Sequence, residues 1–257
     1  MANERNIIFY FSGTGNCYSA AVQVASALGE AELHRVTRKF AESVKKEKRI
    51  FEADRVVVIF PAYAYGLPSL MYGFFRNLKV KAEYTAFVVS RGTKHGAAIT
   101  HAKAYFKGAV QACFDVKSIE NFVPIFGLPT ADEVERGIEE QRGAVEAIAK
   151  EIEARKSNRV KTFHPLFGIV SRTFRVCRPL LNLSLRITKD CVRCGRCEKI
   201  CPGGAIKSRD GLPPKINRWK CQSCQGCINV CPKRAVAFAG IKKNGARYIH
   251  PDFRKYK

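Results

Sequence analysis

Apolar and polar residues alternate in blocks along the first 156 positions. An apolar run at 7–11 gives way within a few residues to a helical pattern at about 17–28. Four further strand-like runs follow at 32–36, 55–60, 85–90 and 114–119. Between them, apolar positions recur at helical spacing over 68–78 and 94–107, with a weaker set near 39–48. The longest pattern covers about 131–156, where Val134, Ile138, Val145, Ile148 and Ile152 fall close to one helical face. Its start, Thr130-x-x-Glu133, has the form of a capping box, and Lys150, Arg155 and Lys156 lie near the negative end of the helix dipole. Strands alternating with helices predict a parallel sheet covered on both faces. Such sheets take their ligands at the carboxyl ends of the strands.

Past residue 156 the pattern changes. Residues 157–188 mix bulky apolar side chains with basic ones, among them Lys161, Arg172, Arg175 and Arg178. Pro165 and Pro179 are expected to interrupt any long membrane-lying helix there. The segment reads as a structured connector; an amphipathic surface touching anionic lipid is the alternative, so peripheral membrane contact stays open. Residues 238–249 read as a hairpin around Asn244-Gly245, a type I′ turn signal.

Charge divides the chain unevenly. The formal net charge is +23; residues 1–156 contribute 22 Lys and Arg against 18 Asp and Glu, and residues 157–257 contribute 23 against 4. A basic C-terminal end suits acidic partners. No helix-turn-helix or other recognised nucleic-acid module accompanies that charge, so no nucleic-acid partner is expected. No apolar run is long enough to span a bilayer, and the N-terminus lacks signal-peptide anatomy, so the expectation is a cytoplasmic protein. In a reducing compartment the 11 cysteines point to metal rather than to disulfides.

The first strand-to-helix junction reads Ser12-Gly13-Thr14-Gly15-Asn16-Cys17. A helix N-terminus there presents free backbone N–H groups and a positive dipole end, which suits a phosphate. No Lys completes a nucleoside-triphosphate loop, and the third glycine of the dinucleotide fingerprint is missing.

The C-terminal half carries a duplicated cysteine run. Cys191-x2-Cys194-x2-Cys197-x3-Cys201-Pro202 recurs 30 residues later as Cys221-x2-Cys224-x2-Cys227-x3-Cys231-Pro232. This matches the bacterial two-cluster ferredoxin run, in which the fourth cysteine ligates the other cluster. One 4Fe-4S cluster is then expected on Cys191, Cys194, Cys197 and Cys231, and a second on Cys201, Cys221, Cys224 and Cys227. Zinc takes four ligands and leaves the x2-x2-x3-Pro repeat unexplained. Cys17, Cys113 and Cys177 remain, with core packing as their expected role.

The stretch FSGTGN after the first strand resembles the phosphate loop of flavodoxins, which bind flavin mononucleotide (FMN) on a doubly wound parallel sheet of five strands in the order 2-1-3-4-5. With the cysteine runs, and with RYIHP near the C-terminus, the chain resembles the flavodoxin–ferredoxin fusion proteins of anaerobes. The resemblance implies a flavodoxin-like domain at 1–156, a connector at 157–188, a small α+β two-cluster ferredoxin domain at 189–239 and a basic tail at 240–257. It also implies that FMN is held by Ser12, Gly13, Thr14, Gly15, Asn16 and Cys17. Further contacts would come from Pro61, Ala62, Tyr63, Tyr65 and Gly66 after the third strand, and from Ser90, Arg91, Gly92, Thr93 and Gly96 after the fourth. Tyr63 is the first choice for the ring that stacks on the flavin, and Tyr65 the second. Cys17 departs from the Thr or Ser common in the family, and a thiol is a weaker donor. A helix N-terminus lowers thiol pKa, but a phosphate beside Cys17 offsets that, so packing or weak donation is expected of it rather than redox chemistry.

Clusters that pass one electron at a time beside a flavin that takes one or two suggest electron transfer to or from acidic redox proteins of ferredoxin or flavodoxin type. A flavin-dependent reductase of a quinone or a free flavin is the alternative. No catalytic residue is singled out.

Overall fold

The computed structural model describes residues 4–122, 129–158, 165–239 and 247–256. Five parallel strands form the main sheet in the order β2-β1-β3-β4-β5: β1 (Asn6–Tyr10), β2 (Ala31–Arg35), β3 (Ile50–Pro61), β4 (Lys79–Arg91) and β5 (Ala112–Lys117). Ile8 pairs with Leu33 on one side and Val57 on the other, and Val57 in turn pairs with Ala86. This is the doubly wound order expected from the flavodoxin resemblance.

Alternation along the strands divides the core. Ile7, Phe9, Val56, Val58, Phe60, Phe87 and Val89 bury one face under α2 (Arg38–Glu47), α3 (Ser69–Asn77) and α4 (Ala98–Tyr105). Ile8, Tyr10, Val57, Ile59, Ala86, Val88 and Val116 bury the other under α1 (Asn16–Ala27) and α5 (Ala131–Glu153). Both faces are covered, so the central strands are apolar throughout. At the start of α5, Thr130 accepts from the Glu133 N–H while the Glu133 carboxylate accepts from the Thr130 N–H, completing the expected capping box.

β3 and β4 begin earlier than the apolar runs at 55–60 and 85–90 predict. Their leading halves, Ile50-Phe51-Glu52-Ala53-Asp54 and Lys79-Val80-Lys81-Ala82-Glu83, alternate with period two and pair in register, Phe51 opposite Val80. Only one side of that extension is covered, so its apolar signal is diluted by half.

The basic, apolar segment forms one helix, α6 (Pro165–Leu181), followed by a 3₁₀ turn at Asn182–Ser184. The expected interruption by proline does not occur. Pro165 opens the helix, where its missing N–H costs nothing, and Pro179 falls in the last turn. The cysteine-rich module pairs β6 (Arg186–Ile187) with β9 (Val236–Ala237), and β7 (Ile206–Arg209) with β8 (Leu212–Ile216), both antiparallel. It adds two short helices, α7 (Arg196–Ile200) and α8 (Gly226–Val230), around a small core of Leu185, Ala205, Ile206, Ile228 and Val236. The turn of the hairpin expected over 238–249 lies outside the described residues. At the ends of that stretch, Phe238 and residues 247–250 are not in strand.

Instead, the tail returns to the first sheet. Tyr248, Ile249, His250 and Phe253 are buried, and Ile200, Val230, Ile249 and Phe253 form a joint core against Tyr18 of α1. Arg35 at the end of β2 donates to the Ile200 carbonyl at 2.6 Å, and the Arg38 N–H donates to the Pro202 carbonyl at 2.7 Å. The two halves are therefore joined by both packing and hydrogen bonds.

Candidate flavin and iron–sulfur sites

A cavity of about 650 Å³ opens at the carboxyl ends of the strands. Its floor is Ser12, Gly13, Thr14, Asn16 and Cys17, and its sides include Pro61, Ala62, Tyr63 and Tyr65 after β3 and Ser90, Arg91, Gly92 and Thr93 after β4. Thirteen of the sixteen residues named from the sequence as flavin contacts thus border one space. Gly15, Gly66 and Gly96 stand behind it.

Each of those three accepts a close neighbour. Gly15 has φ of +113°, and a Cβ there would lie 2.6 Å from His250 Cβ. A Cβ on Gly66 would overlap the Ser171 hydroxyl of α6, and one on Gly96 would meet Tyr65. Ala64 and Tyr65 both hold positive φ, 45° and 64°, in a tight turn closed by Tyr63 and Gly66. L-residues adopt that conformation at a cost, which the packing around this turn offsets.

The loop from Ser12 to Cys17 is shaped from within and clamped from outside. The Gly15 N–H donates to Ser12 Oγ at 3.0 Å, and Asn121 Nδ2 donates to Thr14 Oγ1. Asn16 donates to the Ile119 carbonyl at 3.1 Å and accepts from the Tyr248 hydroxyl; the His250 N–H donates to the Thr14 carbonyl at 2.8 Å. No side chain caps α1 and no acidic residue lies in its first turn. The positive pole of the helix faces the cavity through Asn16 and Cys17, which fits a phosphate.

Cys17 is 2% exposed, and burial pushes its thiol up to about 12, partly offset by a hydrogen bond with Ser90. It is a neutral, packed thiol. Tyr63 has its phenol pushed well above the ordinary value, first by burial and then by Cys224, Cys17, Glu120 and Cys221. Tyr65 stacks on Phe167 of α6, with ring centroids 4.7 Å apart. Its ring already has a partner.

Several lining residues carried no recognisable signal. Ser118, Ile119, Glu120, Asn121 and Phe122 come from the loop after β5, and Val170, Phe174, Cys177 and Leu181 come from α6. Cys177 is only half-buried and faces the cavity rather than a core. The amphipathic spacing of 165–181 was the available clue to the helix, but nothing local says where it lies.

The eight clustered cysteines fall into two groups. Cys191, Cys194, Cys197 and Cys231 border one small cavity, and Cys201, Cys221, Cys224 and Cys227 border another. Each group takes three cysteines from one run and one from the other. The backbone repeats with the sequence: Arg193 and Ser223 hold φ of 57° and 56°, Gly195 and Gln225 hold 73° and 60°, and Gly204 and Arg234 hold 57° and 52°. Positive φ on Arg193, Ser223, Gln225 and Arg234 costs about 1–2 kcal/mol each.

N–H groups converge on the sulfurs in matched pairs. The Arg193 and Ser223 N–H groups donate to Cys191 and Cys221 Sγ, each at 3.4 Å. Those of Ala205 and Ala235 donate to Cys201 and Cys231 Sγ at 3.3 and 3.2 Å. Among the described residues, no three His, Cys, Asp or Glu side chains are close enough to share a single ion. Asn182, fully buried beside the second cavity, accepts from Ser223 Oγ at 2.9 Å, while its own Nδ2 has no hydrogen-bond partner. A donor left over at that position fits a sulfur-rich group, since a buried N–H without an acceptor is costly. Burial pushes the Cys224 thiol up to about 12 and the Cys197 thiol up to about 11, so thiolates here need a positive partner.

The large cavity and the second cysteine cavity are neighbours. Ser223 borders both. A Cβ on Gly13 would lie 2.6 Å from Cys224 Cβ and 3.1 Å from its sulfur, and one on Gly226 would lie 2.6 Å from the Gly13 carbonyl oxygen. Only two glycines allow this approach. The first cavity lies apart from the sheet, with Cys194 exposed and Arg193, Arg196 and Lys233 around it.

A 4Fe-4S dicluster domain model matches residues 184–232. The chain is 41% identical over 46 residues to a component of the ion-translocating oxidoreductase complex of Methanosarcina acetivorans, covering 18% of this chain and 17% of that protein. It is 33% identical over 63 residues to ferredoxin-3 of Chlorobaculum tepidum, covering 22% of this chain and 100% of that protein. Among solved structures, the two-electron reduced flavodoxin of Megasphaera elsdenii aligns at a TM-score of 0.33 and 21% identity, over 56% of this chain and 98% of that one.

Proposed function

The chain belongs to the 4Fe-4S dicluster ferredoxin family through its C-terminal module, carried in one polypeptide with a flavodoxin-like sheet, and from that premise we propose that it is an electron-transfer flavo-iron–sulfur protein. Two 4Fe-4S clusters, passing one electron at a time, and FMN, exchanging one or two, would supply the redox chemistry. Cys191, Cys194, Cys197 and Cys231 would hold the outer cluster, and Cys201, Cys221, Cys224 and Cys227 the inner one. The loop from Ser12 to Cys17 would hold the flavin phosphate through backbone N–H groups and the α1 dipole.

The observation that carries this reading is the contact of Gly13 with Cys224. If the first loop holds a phosphate and the second a cluster, their contact through Gly13 and Gly226 would bring the two kinds of centre close together. Arg193, Arg196 and Lys233 around the outer site suit an acidic redox partner, whose encounter would be steered by charge. Tyr63 and Ser223 line the cavity, and Ser223 also borders the inner site.

A second reading, a reductase of a small lipophilic acceptor, has one observation in its favour. The α6 side of the cavity is apolar, with Ile169, Val170, Phe174 and Leu181. Steady turnover of a quinone with a reduced ferredoxin as donor would favour it.

The test of the first reading is anaerobic purification with iron, sulfide and FMN measured on one sample. About eight irons and one FMN per chain are expected. Four irons, or a folded protein without flavin affinity, would overturn it.

A further inference from the structure

Twelve large apolar side chains are exposed among the described residues, and seven of them lie between Leu166 and Leu183. Ile169, Val176 and Leu180 are 63%, 69% and 66% exposed. At 3.6 residues per turn these three, with Thr173 between them, form a single stripe along α6, of which Ile169 and Thr173 line the large cavity and Val176 and Leu180 do not. The opposite side of the helix holds it to the protein: Ser171 and Arg178 are buried, and Arg178 donates to the Trp219 carbonyl at 3.3 Å. Helices on protein surfaces ordinarily turn such a stripe inward. This one turns Val176 and Leu180 outward, beyond the rim where Ile169, Val170, Thr173 and Leu181 border the large cavity.

We propose that the exposed face of α6 lies on the surface of an anionic lipid bilayer. Charge selects this occupant. From residue 165 to 189 the chain carries no Asp or Glu, and Arg172, Arg186 and Lys189 are exposed, while Arg178 is turned inward and Arg175 lies over the Tyr72 ring. A second copy of the chain would bring another strongly basic half against the first, which repulsion opposes. The surface is a single convex helix rather than a groove, the shape of an interfacial helix with apolar side chains at its centre and cations at its flank. The inference rests on Val176, Leu180 and the exposed cations, which lie outside the cavity, and holds whether or not the cavity takes a flavin.

The experiment is co-sedimentation of the full, cluster-loaded chain with vesicles of phosphatidylcholine alone and of phosphatidylcholine with phosphatidylglycerol. Binding to the anionic vesicles only, weakened by added salt, is expected. Val176→Asp and Leu180→Asp, outside the cavity and the cysteine sites, should each lower that binding by about tenfold or more while iron content and visible spectrum stay as in the parent chain. No binding by the parent chain, or equal binding to both vesicles, would overturn the proposal. So would a dimer in sedimentation equilibrium that either Asp variant dissolves, because a second copy would then cover the stripe. Iron and flavin contents separate this failure from failure of the electron-transfer reading.

Discussion

Cys17 shows how burial decides chemistry at a single residue. Its place at the start of α1 would lower a thiol pKa if solvent reached it, yet its pKa is raised to about 12 because the charged form has lost its water. At pH 8 the folded protein should therefore hold Cys17 as an unreactive thiol. Iodoacetamide at that pH is expected to label it only after unfolding; rapid labelling of the native chain would show a thiolate instead. Asn182 is the complementary case, a buried donor without an acceptor. Asn182→Leu should lower the reduction potential of the inner cluster and leave the outer one unchanged, because a hydrogen bond to sulfur stabilises the more negative, reduced state. Redox titration followed by electron paramagnetic resonance would separate the two centres, and equal shifts in both would remove the role given to Asn182.

At the level of elements, the repeated loops make a prediction that sequence proximity alone would get wrong. Cys231 belongs to the second run but borders the cavity of Cys191, Cys194 and Cys197. Cys231→Ser is expected to destabilise the outer cluster and cost about half the iron, with the inner signal retained. Loss of the inner signal would mean that each run serves its own cluster. The capping box of α5 shows a milder linkage. Glu133 sits below the usual carboxylate range because of the Thr130 backbone and side chain. Its contribution is present at neutral pH, above the unfolded carboxylate value, and is lost as pH falls through the lowered folded value.

Across the whole molecule, stability is divided unequally. The sheet has two large cores, one on each face, whereas the cysteine module has a handful of small apolar residues and eight cysteines that need a partner. Iron removal by chelation under oxidising conditions should loosen residues 186–239, and with them the tail at 247–256 that packs on α7 and α8. The five-stranded sheet should stay folded. Hydrogen exchange before and after iron removal would report this directly, and unchanged protection in the module would show that its small core suffices alone.

The alternation of strands with helices and the cysteine repeat were legible in the sequence because each is local, whereas the order of the sheet was implied by the resemblance to flavodoxins. A strand-to-helix junction, a helical period and a spacing of thiols all survive in one dimension. The ends of β3 and β4 were less legible, since half-covered strands dilute their apolar signal. What lay beyond reach was which distant segments meet. Neither Gly13 nor Gly226 announces that it will face the other loop, and nothing in RYIHP says that Tyr248 and His250 will close on Asn16 and Thr14. The outward stripe of α6 was equally hidden, because spacing reveals that a helix has an apolar face but not which way it turns. Those outcomes were decided by packing the two halves together, where long-range burial and the fit of one backbone against another select the arrangement.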